Sequence, residues 1–166
     1  MISSTHIVTG AAIGLAIGHI FPNQWLACLV AFVIGVGSHH LLDLILHTDA
    51  GSFRDPDDQT VLHRKELIFA LADNILGTAV ILFVFFIREA SWPMLFGAIG
   101  GNFPDVFHHV PKWSEFTRSL KRGKYFKFHE TNHYTATGQQ IWLGVFNNLA
   151  LIFGSIWYIL SYTLGH

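Results

Sequence analysis

Apolar positions run almost unbroken through five stretches, from about Thr5 to Phe21, Trp25 to His47, Glu66 to Ile87, Trp92 to His109 and Ile141 to Leu164. Each is about 17 to 24 residues long, the length a helix needs to cross a hydrocarbon core of about 30 Å. The breaks between them carry turn chemistry: Phe21-Pro22-Asn23-Gln24, Asp55-Pro56-Asp57-Asp58, the short link Arg88 to Ser91, and the long polar segment 110–140. Ser3, Ser4 and Thr5 are expected N-caps for the first helix. Its Gly10, Gly14 and Gly18 recur every four residues, a seam that lets a second helix approach closely. Within 110–140, the segment Lys112 to Phe128 interleaves basic and aromatic residues, as an amphipathic helix lying on an anionic leaflet would. The expected fold is therefore all-α: one transmembrane domain over residues 1–166, with about five spans and one interfacial segment.

Composition supports that reading. Hydrophobic residues make up 51% of the chain and charged ones 13%, against about 25% charged in soluble domains. Nine of the ten lysines and arginines fall in 47–65 and 110–140, with Arg88 the exception. Five spans place those segments on one side with the N-terminus, and the positive-inside rule makes that side cytoplasmic. The expected location is a membrane, with membrane lipids as partners. Basic and aromatic residues in 112–128 would also suit nucleic acid, but so short a segment tethered at a bilayer favours lipid, and no nucleic-acid partner is expected. The single cysteine, Cys28, can form no internal disulfide. The N-terminus lacks a basic region and a cleavage signal, so it reads as a retained first helix.

Histidine changes the picture, because there are eleven. His6, His39, His40, His47, His63, His108, His109, His129 and His133 all fall on the expected cytoplasmic side. His19 and His166 fall on the other. On a helix turning 100° per residue, His39, His40, Asp43 and His47 share a narrow stripe. Imidazoles and a carboxylate at i, i+4 spacing are the donor set that a divalent ion, zinc above all, accepts. Asp105 and His109 repeat the spacing. His6 starts the first helix, where it could reach the same region. Asp73 lies about two turns inside its helix, a depth that costs an unpaired carboxylate about 2.5–3.5 kcal/mol. His129-Glu130-Thr131-Asn132-His133 matches HExxH, in which two histidines hold zinc and the glutamate acts as base. No acidic residue follows Glu130 to supply the downstream ligand of common zincins.

Three runs carry a family resemblance: Thr5-His6 with Gly10, Gly37 to Asp49, and Gly101 to His109. Together they resemble the membrane-bound metal-dependent hydrolases, small inner-membrane proteins that include those regulated by LexA. That family is in turn distantly similar to the phospholipase C and P1 nuclease zinc enzymes. The resemblance implies metal ligands at His6, His39, Asp43, Asp105 and His109, and at His129 or His133. It departs where many members carry Pro-Asp-x-Asp, since this chain has Leu42-Asp43-Leu44-Ile45. The expected function is metal-dependent hydrolysis of a phosphoester or lipid-linked substrate at the cytoplasmic interface. His6, His39, Asp43, Asp105, His109, His129 and His133 would hold one or more zinc-type ions, with Asp73 or Glu130 as base. Two other readings stay open: an HExxH membrane metalloprotease, and a metal-binding transporter or sensor without catalysis.

Overall fold

A computed structural model describes residues 1–53, 64–87, 91–109 and 124–164. The side chains of His108, His109, His129 and Glu130 lie outside the described part, as do His63 and most of 112–128. Every regular element described is helical: α1 (Ser3–Ile20), α2 (Gln24–Asp43), α3 (Arg64–Ile87), α4 (Trp92–His109), α5 (Lys124–Thr131) and α6 (Ile141–Leu164). Short 3₁₀ turns at Ala50–Phe53 and Gly138–Gln140 complete them. Three segments are long and apolar enough to cross a membrane: Gln24–Asp43, Arg64–Ile87 and Gly138–Tyr162. They expose large apolar side chains outward, among them Leu29 and Val33 of α2, Phe83 and Phe86 of α3, and Phe146, Phe153 and Trp157 of α6. Such surface suits hydrocarbon and not water.

The other two long helices fill the interior. α1 packs against α2, α3, α4 and α6, and its contact with α4 is backbone on backbone. A Cβ added to Gly10 or Gly97 would strike the carbonyl of the other, and one on Gly14 would strike that of Pro93. Gly101 meets the His6 carbonyl in the same way, and Gly100 that of Phe32 in α2. The four-residue glycine seam thus receives α4, as small-residue seams do in lipid, where close packing replaces the hydrophobic effect. Ile7, Val8, Ala11, Leu15, Met94 and Ala98 form the core around that contact.

Among the described residues, buried polar side chains gather at one end. Ser4, Thr5, His6, Ser38, His39, Asp43, His47 and Thr48 are all buried there. Two sequence expectations change at this end. α1 starts after Ile2, which offers no side-chain cap. Its cap comes from α3 instead: Asp73 accepts hydrogen bonds from the Ser4 backbone N–H at 2.9 Å and from the Ser4 hydroxyl. A carboxylate there also meets the positive end of the α1 dipole.

The second difference is that α2 stops at Asp43, four residues before His47. No glycine or proline stops it; backbone groups from distant segments do. The Tyr134 N–H donates to the Asp43 carbonyl at 3.0 Å, and His47 exchanges main-chain hydrogen bonds with Tyr134 and Ala136. The amides of Asn147 and Asn148, from α6, each donate at 2.7 Å to the carbonyls of Leu46 and Thr48. Gly144 lets this chain lie directly across α6, since a Cβ there would press on the His47 carbonyl carbon and Thr48.

Candidate metal centre

His6, His39 and Asp43 each bring one ligand-type atom to within 4.8 Å of the others, and Asp43, His47 and His133 do the same. Asp43 is common to both groups. Its Oδ1 stands 3.2 Å from His6 Nε2 and 3.7 Å from His133 Nε2, while Oδ2 is 3.1 Å from His39 Nε2. Asp105 Oδ1 approaches His39 Nε2 at 3.5 Å, and Asp49 Oδ2 lies 3.6 Å from His47 Nε2. His6, His39 and His47 are fully buried and Asp43 nearly so. The Met1 amino nitrogen is 3.2 Å from both Asp43 Oδ1 and His133 Nε2.

The protons on these rings follow from their other partners. His39 Nδ1 lies 2.8 Å from the Gly101 carbonyl, and His47 Nδ1 lies 2.7 Å from the Ile45 carbonyl. A carbonyl can only accept, so both Nδ1 atoms carry the proton. In the neutral rings Nε2 is therefore a lone pair. His133 is fixed through a hydroxyl: Thr135 donates to Asp49 Oδ2 at 2.7 Å and so accepts from His133 Nδ1 at 3.0 Å. Its Nε2 is then also a lone pair. Holding the outer nitrogen of an imidazole in this way is how proteins aim a ring at a metal. His6 and His47 Nε2 make no hydrogen bond, and His6 lies flat on His39 with ring centroids 3.9 Å apart. Lone pairs directed at a carboxylate in a dry site repel unless a cation lies between them. Neutral imidazoles with carboxylates fit a divalent ion of the zinc type.

Outside the spans, the electrostatics favour deprotonated donors. Burial pulls the His133 imidazole from 6.5 down to about 4. Burial pushes the Asp49 carboxyl up, but the His47 ring, the Met1 amino nitrogen, His133 and the Thr135 hydroxyl outweigh it and hold Asp49 well below the usual range. The unfolded chain then binds a proton at His133 between pH 6.5 and 4 that the folded chain refuses. Stability must fall as pH drops through that window. With metal stripped by chelator, unfolding midpoints should decline more steeply from pH 6.5 to 4 in wild type than in His133→Gln; parallel curves would contradict this.

The expected residues are thus distributed unevenly. His6, His39, Asp43, Asp105 and His133 converge. Asp73 is engaged at the α1 N-terminus. His40 joins neither trio; its ring stands edge-on to His39 with centroids 5.3 Å apart and to Phe128 at 5.6 Å. The backbones of His109, His129 and Glu130 lie in α4 and α5, and their side chains fall outside the described residues. α5 ends at Thr131, so His133 lies beyond the helix that the HExxH pattern requires. Two residues join that the ligand set read from sequence omits. His47 arrives through the chain turn after α2, although its place on a helical stripe suggested another route. Asp49 arrives through Thr135, for which the sequence holds no signal. No protein-family model, curated protein or solved structure matches this chain.

Proposed function

We propose that this is a membrane-embedded, metal-dependent hydrolase that acts on a phosphoester at the cytoplasmic face of an inner membrane. His6, His39 and Asp43, with Asp105 beside them, would hold one zinc-type ion. Asp43, His47 and His133, with Asp49 beside them, would hold a second. The observation that carries this is the set of fixed tautomers: Gly101, Ile45 and Thr135 take the Nδ1 protons of His39, His47 and His133. Their Nε2 lone pairs are thereby spent on whatever sits beside Asp43. The resemblance to membrane-bound metal-dependent hydrolases agrees with this donor set.

A bound divalent ion would supply Lewis-acid polarisation of a phosphoryl oxygen and a more acidic water. The chain's own residues do the rest. Asp43 sets the spacing of the two donor trios, and burial around it excludes competing water. Asp73 holds the start of α1, and so His6, in register through Ser4. That leaves Glu130, which immediately precedes the segment that carries His133, as the proton-accepting carboxylate. The exposed Lys124 and Lys127 of α5 suit an anionic headgroup at the interface.

Elemental analysis of protein purified without chelator tests the reading, alongside assays with a soluble phosphodiester and with phospholipid. Wild type should retain about two zinc-type ions per chain under zinc's usual few-donor coordination. His39→Ala and His47→Ala should each lose about one, and both should lose hydrolysis. Metal-free wild type, or equal metal in all three proteins, would overturn it.

A further inference from the structure

α1 is tied to both α3 and α4, whereas α3 and α4 barely touch each other. Gly77 of α3 seats against Ser4 of α1, and Gly97 and Gly101 of α4 seat against Gly10 and His6. α3 and α4 therefore diverge from a common support and leave a wedge of about 390 Å³ between them. Ile7 forms its floor. Thr78 and Leu82 line one wall, and Leu95, Ile99 and Val106 the other. From Leu95 to Val106 the groove follows α4 for about 16 Å, at 1.5 Å per residue. Leu82 and Ile99 are exposed along it, so it opens sideways from a helix long and apolar enough to span a bilayer.

The groove changes character at one end. Asn102 lines it and accepts a hydrogen bond from Asn74 at 3.0 Å. One helical turn further along α4 is Asp105, which reaches His39 at 3.5 Å. An apolar trough thus leads to an amide pair and then to the His/Asp centre. We infer that this wedge seats one acyl chain of a membrane lipid, with the lipid's phosphoester end at the metal centre. The inference rests on the proposed function and narrows its substrate class from phosphoesters to acyl-chain lipids. Charge complementarity selects the occupant: an anionic head matches the divalent ions that the His/Asp centre would hold, and an acyl tail matches a trough open to hydrocarbon. A transmembrane helix of a second chain would match the trough alone.

The test is photolabelling of the full chain in phosphatidylethanolamine–phosphatidylglycerol vesicles, with a phosphatidic acid that carries a diazirine midway along one acyl chain. Peptides that contain Thr78 to Leu82 and Leu95 to Phe103 should label severalfold more than the lipid-facing α2 peptide around Leu29 and Val33. Thr78→Trp, which fills the mouth from an exposed position without entering the core, should remove that excess and leave metal content unchanged. Even labelling of the groove and α2, an excess that survives in Thr78→Trp, or cross-linked pairs of chains through the groove would each overturn the inference. The two readings fail separately. Groove labelling without hydrolysis of any phosphoester would leave the lipid site standing and sink the hydrolase. Hydrolysis of a short-chain soluble phosphoester with even labelling would do the reverse.

Discussion

Asp43→Asn should strip the protein of both ions at once and abolish hydrolysis, where each single histidine change removes one. The reason is geometric. Asp43 is the one residue common to both donor trios, and it lies within 3.7 Å of three imidazole nitrogens from α1, α2 and the segment after α5. Asparagine keeps the shape but removes the charge, so neither trio retains its anionic donor. An ion that binds only the folded state at 100 times its dissociation constant adds about 2.7 kcal/mol. Two ions add twice that where they bind independently. Thermal unfolding in zinc should therefore separate wild type from Asp43→Asn widely, and the gap should close in excess chelator. The same gap with and without metal would mean that Asp43 is a packing residue and nothing more.

Gly101→Ala should be among the most damaging single-methyl changes at the described glycines. Its Cβ would enter the space of the His6 carbonyl oxygen, which is backbone and cannot swing aside. Overpacked sites lose about 1–3 kcal/mol when side chains can shift, and this contact offers none that can. α1 and α4 would have to separate, and with them His6 and the Gly101 carbonyl that sets the His39 tautomer. We expect a loss of at least about 3 kcal/mol of stability, with weaker metal retention in whatever folds. Gly37→Ala is the matched control, since nothing lies within 4 Å of a Cβ there. In a helix interior that change should be neutral or stabilising by up to about 1 kcal/mol. Unfolding midpoints in detergent would compare them, and equal effects would refute the close approach of α1 and α4.

The helices were legible because their apolar runs are long and their breaks are marked by proline, asparagine and aspartate. α4 occupies Trp92–His109 and α6 Ile141–Leu164, the bounds their hydrophobic limits suggest. The His39–Asp43 pair was legible for a related reason: i, i+4 spacing on a continuous helix leaves its geometry little freedom. What lay hidden depends on contacts across long stretches of sequence. Leu44 to His47 has ordinary helix-forming residues, and it leaves the helix because Tyr134, Ala136, Asn147 and Asn148 claim its backbone. Asp73 looks from sequence like a costly intramembrane acid, and only its position against Ser4 makes it a cap. Thr135 is an unremarkable threonine until it stands between Asp49 and His133. Local periodicity carries no information about any of these three arrangements.

The pairing of 43–48 with 134–136 also orders events during synthesis. Asp43 and His133 are 90 residues apart. At about 5–20 residues per second the ribosome needs on the order of 5–20 s to make the intervening chain. Once α4 has followed α1 and α2 and supplied the Gly101 carbonyl, His6, His39 and Asp43 can come together, while His47 still lacks the strand-like partner that turns it inward. One donor trio is thus available to a nascent chain and the other only to a finished one. Metal loading would then proceed in two stages, the second coupled to arrival of the last helix. A chain that failed to insert α6 would stop at half occupancy, a state that a cell's quality control could distinguish from the mature protein.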